Sequence, residues 1–483
     1  MARYPGNSLK NTLRLVSAVA LLASPEIAVA QSTPPAASQS VQGLDADWDG
    51  TLDAGGAKLR LVLHVHSAAG GGTVATLDSV DQKVEGLAVT ALNRTGDKMG
   101  FQIPIVGARY DGTLAADGQS IKGWWVQGAS LPLTFNRRAP GAAAPVAAAA
   151  PKRPQMPQPP SPYRTEEVSF TDVGAKLAGT LLLPPGKPVA TVVLIAGSGP
   201  QTRDEEVAGH KIFLVLADYL ARHDIAVLRY DKRGIGASTG DFLHATSMDF
   251  AADAEAAVAY LHSRPDIDPR HIGLIGHSEG GLVAPIVAGK DPRIAFVVLM
   301  AGPGENGLKL LLEQGDLIMK ADGASDQTIA TSHTIRESLF EAIRDEPDQQ
   351  KRDAKLRAII EATPAAKNMT PAAIDGQIRT ISTDWFRNFF SYDPVPALSK
   401  IRAPVLAIGG SLDLQVPAKE NLAAIRAALA SNKHVTVTEL PGLNHLFQPA
   451  KTGSPAEYGA IEQTIAPEAL TMITDWVVKQ AGR

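Results

Sequence analysis

The sequence predicts an α/β protein in two domains. A small all-β barrel or sandwich (43–138) precedes a domain with a buried, largely parallel sheet and a helical insertion (163–483). Three observations carry this. Short period-two strands separated by Asp-Gly and Gly-Gly turns fill the first domain. Eight prolines in the 24 positions 139–162, interleaved with alanines, can pack as neither helix nor sheet and mark an extended linker. Beyond it, near-continuous apolar runs alternate with helical stretches, the texture of strands buried on both faces. A length of 483 residues suits more than one domain.

Residues 1–30 read as a secretory signal peptide. Arg3, Lys10 and Arg14 give a positive start, Leu15–Ala23 is a short apolar run, and Ala28-Val29-Ala30 is an A-x-A cleavage site. The run is shorter than the roughly 20 residues that span a bilayer, and no later stretch is long and apolar enough to do so. Cleavage after Ala30 leaves Gln31 first and a net charge of −6. The expected location is the periplasm or the exterior. Residues 31–42 are a Ser/Pro/Ala/Gln lead-in.

In the first domain Leu59, Leu61, Leu63 and Val65 alternate with Arg60, Val62, His64 and His66. Further strands are expected at Thr73–Leu77, Leu87–Leu92, Met99–Val106, Ala108–Leu114, Ser120–Gln127 and Leu131–Asn136. His64 and His66 share a face, but no third ligand is visible nearby, so a barrel-lining or exposed face is the reading and no metal is expected.

In the second domain strands are expected at Glu166–Phe170, Leu177–Leu183, Thr191–Ala196, Ala226–Tyr230, Ile272–Gly276, Ala295–Ala301, Val405–Gly409 and Val435–Leu440. Helices are expected at Lys211–His223, Ser247–Ser263, Gly280–Ala288, Ala418–Ala430 and Ala466–Lys479. Residues 305–400 are helical and charge-rich with no strand, too long for a simple connection, and read as an insertion over one end of the sheet.

Composition narrows the chemistry. With no cysteine there is no disulfide, thiolate–zinc site, iron–sulfur cluster, cysteine nucleophile or Cys-borne lipid. A net charge of −4 argues against nucleic-acid binding. Gly276-His277-Ser278-Glu279-Gly280 is a G-x-S-x-G between an expected strand and an expected helix. That context lifts the Ser278 hydroxyl out of the sheet at a helix N-terminus. A serine needs a base. Of eleven histidines, only His445 follows the last strand in a loop at the C-terminal end of the sheet. The base needs an acid, and Asp413 follows the preceding strand. The chain order Ser278, Asp413, His445 fits this topology, whereas Asp393, in a Tyr-Asp-Pro turn, reads as a structural cap. The oxyanion donors expected are the backbone amides of Glu279 and, in the loop Gly197-Ser198-Gly199-Pro200, of Ser198. Asp231-Lys232-Arg233-Gly234-Ile235-Gly236 lacks the register of a dinucleotide fingerprint, and its charged trio is expected to pair internally. No Walker loop is present. Trp385, Phe386, Phe389, Phe390 and Tyr392 are either the insertion's own core or, for Trp385, Phe386 and Phe389, a substrate-pocket wall.

Residues 163–483 resemble the α/β-hydrolases of the serine aminopeptidase-like and EstD-type esterase group. The resemblance rests on Gly197–Asp204, Arg229–Ser238, Ile275–Gly281 and Gly409–Pro417. It implies hydrolysis of small-molecule carboxylic esters beneath a helical cap, by an acyl-enzyme mechanism with no cofactor. Ala196 departs from the histidine that many relatives carry there. Two other readings stay open. One is a peptidase for short peptides, with Glu305 or another acidic residue of the insertion receiving the substrate ammonium. The other is a non-catalytic envelope-binding protein. The oligomeric state is not set by the sequence.

Overall fold

The computed structural model describes residues 43–142 and 152–482, apart from 55–56, 68–72, 83, 128, 140 and 370. The expected signal peptide lies outside the described residues. Two compact units are formed, one from residues 43–142 with 360–380, the other from 152–359 with 381–482.

The first unit carries nine antiparallel strands: β1 (Ala46–Ala54), β2 (Ala57–Ser67), β3 (Thr73–Ser79), β4 (Val84–Ala88), β5 (Thr90–Thr95), β6 (Lys98–Ile103), β7 (Ala108–Leu114), β8 (Ser120–Gln127) and β9 (Ala129–Arg137). Their order is β4-β3-β2-β1-β9-β8-β7-β6-β5. The two edges, β4 and β5, are separated in the chain by Val89 alone, so the sheet curls into a nearly closed barrel. Leu61, Leu63 and Val65 of β2 face a core with Trp48, Tyr110, Ile121 and Phe135. The buried Tyr110 hydroxyl donates to the carbonyl of Ile121 or Leu133, 3.0 and 3.1 Å away. The expected strand at Leu87–Leu92 is instead the break between β4 and β5. The one expected to end at Val106 stops at Ile103, because Pro104 opens a 3-10 turn.

The second unit holds an eight-stranded sheet. Its strands are β10 (Arg164–Asp172), β11 (Ala175–Leu183), β12 (Ala190–Ile195), β15 (Ile225–Tyr230), β16 (Ile272–His277), β17 (Val297–Met300), β18 (Val405–Gly410) and β19 (Val435–Leu440). A two-stranded ribbon, β13 (Glu206–Val207) and β14 (His210–Lys211), stands apart. The sheet order is β10-β11-β15-β12-β16-β17-β18-β19. The first two strands are antiparallel, and every pair from β15 onward is parallel. Strands β12, β15, β16, β17 and β18 are buried along their whole length, which is why they are written as unbroken apolar runs.

Helices α1 (Ile212–Ala221), α2 (Ser247–His262), α3 (Glu279–Ala288), α10 (Ala418–Ala428) and α12 (Pro467–Gln480) accompany the sheet, with the short α11 (Pro455–Tyr458) before the last. Helix α2 starts at a capping box in which Thr246 and Asp249 satisfy each other's amides. Between β17 and β18 come α4 (Gly307–Ala321), α5 (Asp326–Asp345), α6 (Gln349–Glu361), α7 (Pro371–Ile381), α8 (Asp384–Ser391) and α9 (Val395–Leu398), with no strand among the described residues. Asp393 Oδ1 accepts from the amide of Val395 at 3.0 Å, in the turn that leads into α9.

Candidate active site

The turn from β16 to α3 is tight because glycines allow it. A Cβ on Gly276 would lie 2.0 Å from the Gly280 carbonyl oxygen, and one on Gly280 would lie 1.9 Å from that of Ile195. Ser278 sits between them at φ 54°, ψ −118°, a conformation that an L-residue adopts only under constraint. Its amide donates to Met300 O at 2.9 Å, which ties the turn to β17. Its partly exposed hydroxyl makes no hydrogen bond to the protein.

His445 and Asp413 form a buried pair. Nδ1 of His445 lies 2.8 Å from Oδ2 of Asp413, whose side chain is completely covered. The other oxygen, Oδ1, accepts the amides of Gln415 and Val416, both at 2.8 Å. A carboxylate so placed only accepts, so Nδ1 carries a proton, and in the neutral imidazole the lone pair then falls on Nε2, the form a base requires. The loop carrying His445 is held from within: buried Asn444 Oδ1 accepts the amides of Leu446 and Gln448 at 3.0 and 2.9 Å.

Ser278 and His445 share no hydrogen bond. The residue before Ser278, His277, packs on His445: its ring centre is 4.9 Å from that of His445 and its Nε2 donates to the His445 carbonyl at 3.0 Å. Nδ1 of His277 donates to Glu205 Oε1 at 2.9 Å. Glu205 Oε1 also accepts the Gly197 amide at 2.6 Å. One buried carboxylate therefore ties the loop after β12 to the residue before Ser278, and through it to the backbone of His445. That loop abuts Ser278: a Cβ on Gly197 would come within 3.1 Å of Ser278 Cβ. The Gly197 amide is committed to Glu205. Among the described residues the amides of Ser198 and of Glu279, the first residue of α3, have no acceptor, which leaves them open to an oxyanion.

Both nitrogens of His277 face acceptors. Burial opposes its charge, but the Glu205 carboxylate, the His445 carbonyl and Asp413 outweigh it and raise its pKa above the ordinary histidine value. The linkage follows: a raised folded pKa gives stability that is complete below the unfolded value of about 6.5 and is lost as pH climbs through the folded value. The Tm advantage of the wild type over His277→Gln is expected to be largest at about pH 6 and to shrink toward alkaline pH. Melting curves of the two proteins check this, and a pH-independent gap would mean a neutral His277.

The side chain of Glu279 is equally engaged. It accepts from Lys232 Nζ at 2.9 Å, Ser247 Oγ at 2.7 Å and Trp385 Nε1 at 2.6 Å. The trio 231–233 therefore does not pair internally. Asp231 binds Arg203, Lys232 binds Glu279, and Arg233 binds Asp253 and Asp172, so the loop after β15 joins separate elements. Of the three pocket candidates, Trp385 reaches the residue next to Ser278. It stacks on Phe389 at 4.9 Å between ring centres. Phe386 and Phe389 are buried in the cap itself. Phe386 packs on Phe390, which packs on Phe340, and Phe389 lies against Gly307.

The chain is 26% identical over 323 residues to Esterase EstD of Thermotoga maritima, covering 66% of this chain and 69% of that one. Among solved structures, the alpha/beta hydrolase GrgF of Penicillium sp. sh18 is 20% identical and aligns with 66% of this chain and all of its own, at a TM-score of 0.43. Est1E of Butyrivibrio proteoclasticus, solved with ferulic acid bound, is 16% identical, covers 65% of this chain and all of its own, and gives 0.40. Residues 192–457, more than half of the sequence, match the profile of the alpha/beta hydrolase family, and the chain belongs to that family.

Proposed function

We propose that this protein is an exported serine hydrolase that cleaves carboxylic esters of small molecules through an acyl-enzyme. The reading rests above all on Asp413 fixing the His445 tautomer beside a Ser278 held in a strained turn against two free amides. Its export rests on the leader at 1–30.

In this mechanism Ser278 Oγ bonds to the ester carbonyl carbon while His445 Nε2 takes its proton. The carbonyl oxygen, now an anion, is held by the amides of Ser198 and Glu279. Collapse breaks the carbon–alkoxy bond, and the alcohol leaves with the proton from His445. Water then repeats the sequence on the acyl-enzyme and frees Ser278. The similarity to an esterase supports ester over amide.

The peptidase reading draws on Glu305. Its Oε1 is occupied by Lys309 at 2.5 Å, while Oε2 is buried without a partner. A substrate ammonium would have to compete with Lys309 for that carboxylate. One experiment separates the readings. A fluorophosphonate probe should label Ser278 and stop hydrolysis, and an aminoacyl p-nitrophenyl ester should turn over faster than the matching anilide. Faster anilide hydrolysis would favour the peptidase, and an unlabelled Ser278 would remove the mechanism.

A further inference from the structure

A second constellation lies in the first unit. Asp47 of β1 is the register partner of His64 on β2, and His66 follows two residues later on the same face. One ligand atom from each of the three lies within 4.8 Å of the others. Asp47 Oδ1 is 2.7 Å from His64 Nδ1 and 3.3 Å from His66 Nε2. Ligands about 2.0–2.1 Å from a tetrahedral zinc stand roughly 3.4 Å apart, so the three atoms need little adjustment to enclose one.

The surroundings are those of a supported site. His64 Nε2 lies 2.9 Å from Asp78 Oδ2. A carboxylate only accepts, so Nε2 carries the proton. That leaves Nδ1 as the ring atom facing Asp47 Oδ1, on which His66 Nε2 also converges, so one nitrogen from each imidazole and a carboxylate oxygen share one point. The far oxygen of Asp47 is held by Arg138 at 2.8 Å, and Asp45 stands 3.8 Å from the other nitrogen of His66. Partners of this kind orient metal ligands in general. His66 is 57% exposed, which leaves a side open to water.

We infer that Asp47, His64 and His66 bind a divalent transition ion of the zinc type, with Asp78 and Arg138 orienting the ligands. Two imidazoles and one carboxylate suit such an ion better than calcium or magnesium, which prefer all-oxygen shells. Its residues belong to the first unit and Ser278 to the second, and the inference does not depend on the ester reading.

The test is calorimetric titration of Zn²⁺ into the chelator-stripped full chain, with Co²⁺ as a spectroscopic substitute. One ion per chain is expected, with visible Co²⁺ bands of low coordination number. His66→Ala, at an exposed position, should fold, keep its hydrolytic activity and lose at least tenfold in affinity. Asp78→Asn should weaken binding roughly 10–100-fold. Affinity unchanged in His66→Ala would place the ion elsewhere and overturn the site. So would absence of Zn²⁺ binding by the wild-type chain.

Discussion

Ser278→Ala is expected to lower kcat for a short-chain p-nitrophenyl ester by about 10⁶ while leaving the thermal melt unchanged. Both halves follow from the geometry. The Ser278 hydroxyl makes no hydrogen bond to the protein, so its removal orphans no buried partner. The positive φ of residue 278 is imposed by Gly276 and Gly280, which let the turn close on Ile195 and on itself. Alanine has the same Cβ as serine and meets the same strain, so the folded state loses little. The chemistry loses its covalent route: the amides of Ser198 and Glu279 can still polarise a carbonyl, but no side chain remains for His445 to activate. Steady-state kinetics with a melting curve on the same preparation measure both. Hydrolysis near the wild-type rate with an intact fold would remove Ser278 as the nucleophile.

The parts legible in the sequence are those written locally. A strand buried on both faces must be apolar throughout, so β12, β16 and β18 stand out to within a residue or two at each end. The turn around Ser278 is legible because glycine alone tolerates its close backbone contacts. Order along the chain singled out His445 and Asp413, whose side chains lie 2.8 Å apart. What the sequence hides is pairing across long separations. Glu205 lies 72 residues from His277, and nothing in Thr202-Arg-Asp-Glu205 signals that its carboxylate will bind both Gly197 and His277. Lys232 and Trp385 meet on Glu279 from 47 and 106 residues away. In the first unit, β1 alternates small and polar residues around Trp48 and Leu52 and so lacks an apolar stripe. Without β1 and its register, Asp47 cannot be seen opposite His64. His277 was visible, but as the residue before Ser278 rather than as the link between the Gly197 loop and the backbone of His445.

Asp413→Asn is expected to lower kcat by about 10⁴ near neutral pH with little change in KM, a loss that arises from a misplaced proton rather than a misplaced ring. Asp413 Oδ1 accepts two backbone amides, and an asparagine amide oxygen can keep both. Its nitrogen must then occupy the place of Oδ2, 2.8 Å from His445 Nδ1, and present a donor where the wild type presents an acceptor. Nδ1 responds by accepting, the proton moves to Nε2, and the imidazole faces Ser278 as a donor. The variant therefore keeps the loop, the packing of His445 against His277 and the free amides, but holds its base in the wrong tautomer. Two measurements isolate this cause. Fluorophosphonate labelling of Ser278 should slow in parallel with kcat, because both need the same proton transfer, and the activity lost should be recovered in part at high pH, where hydroxide takes over the base's role. If Asp413→Asn retained most of its activity, the carboxylate would not be setting the tautomer, and another acceptor would have to hold the Nδ1 proton of His445.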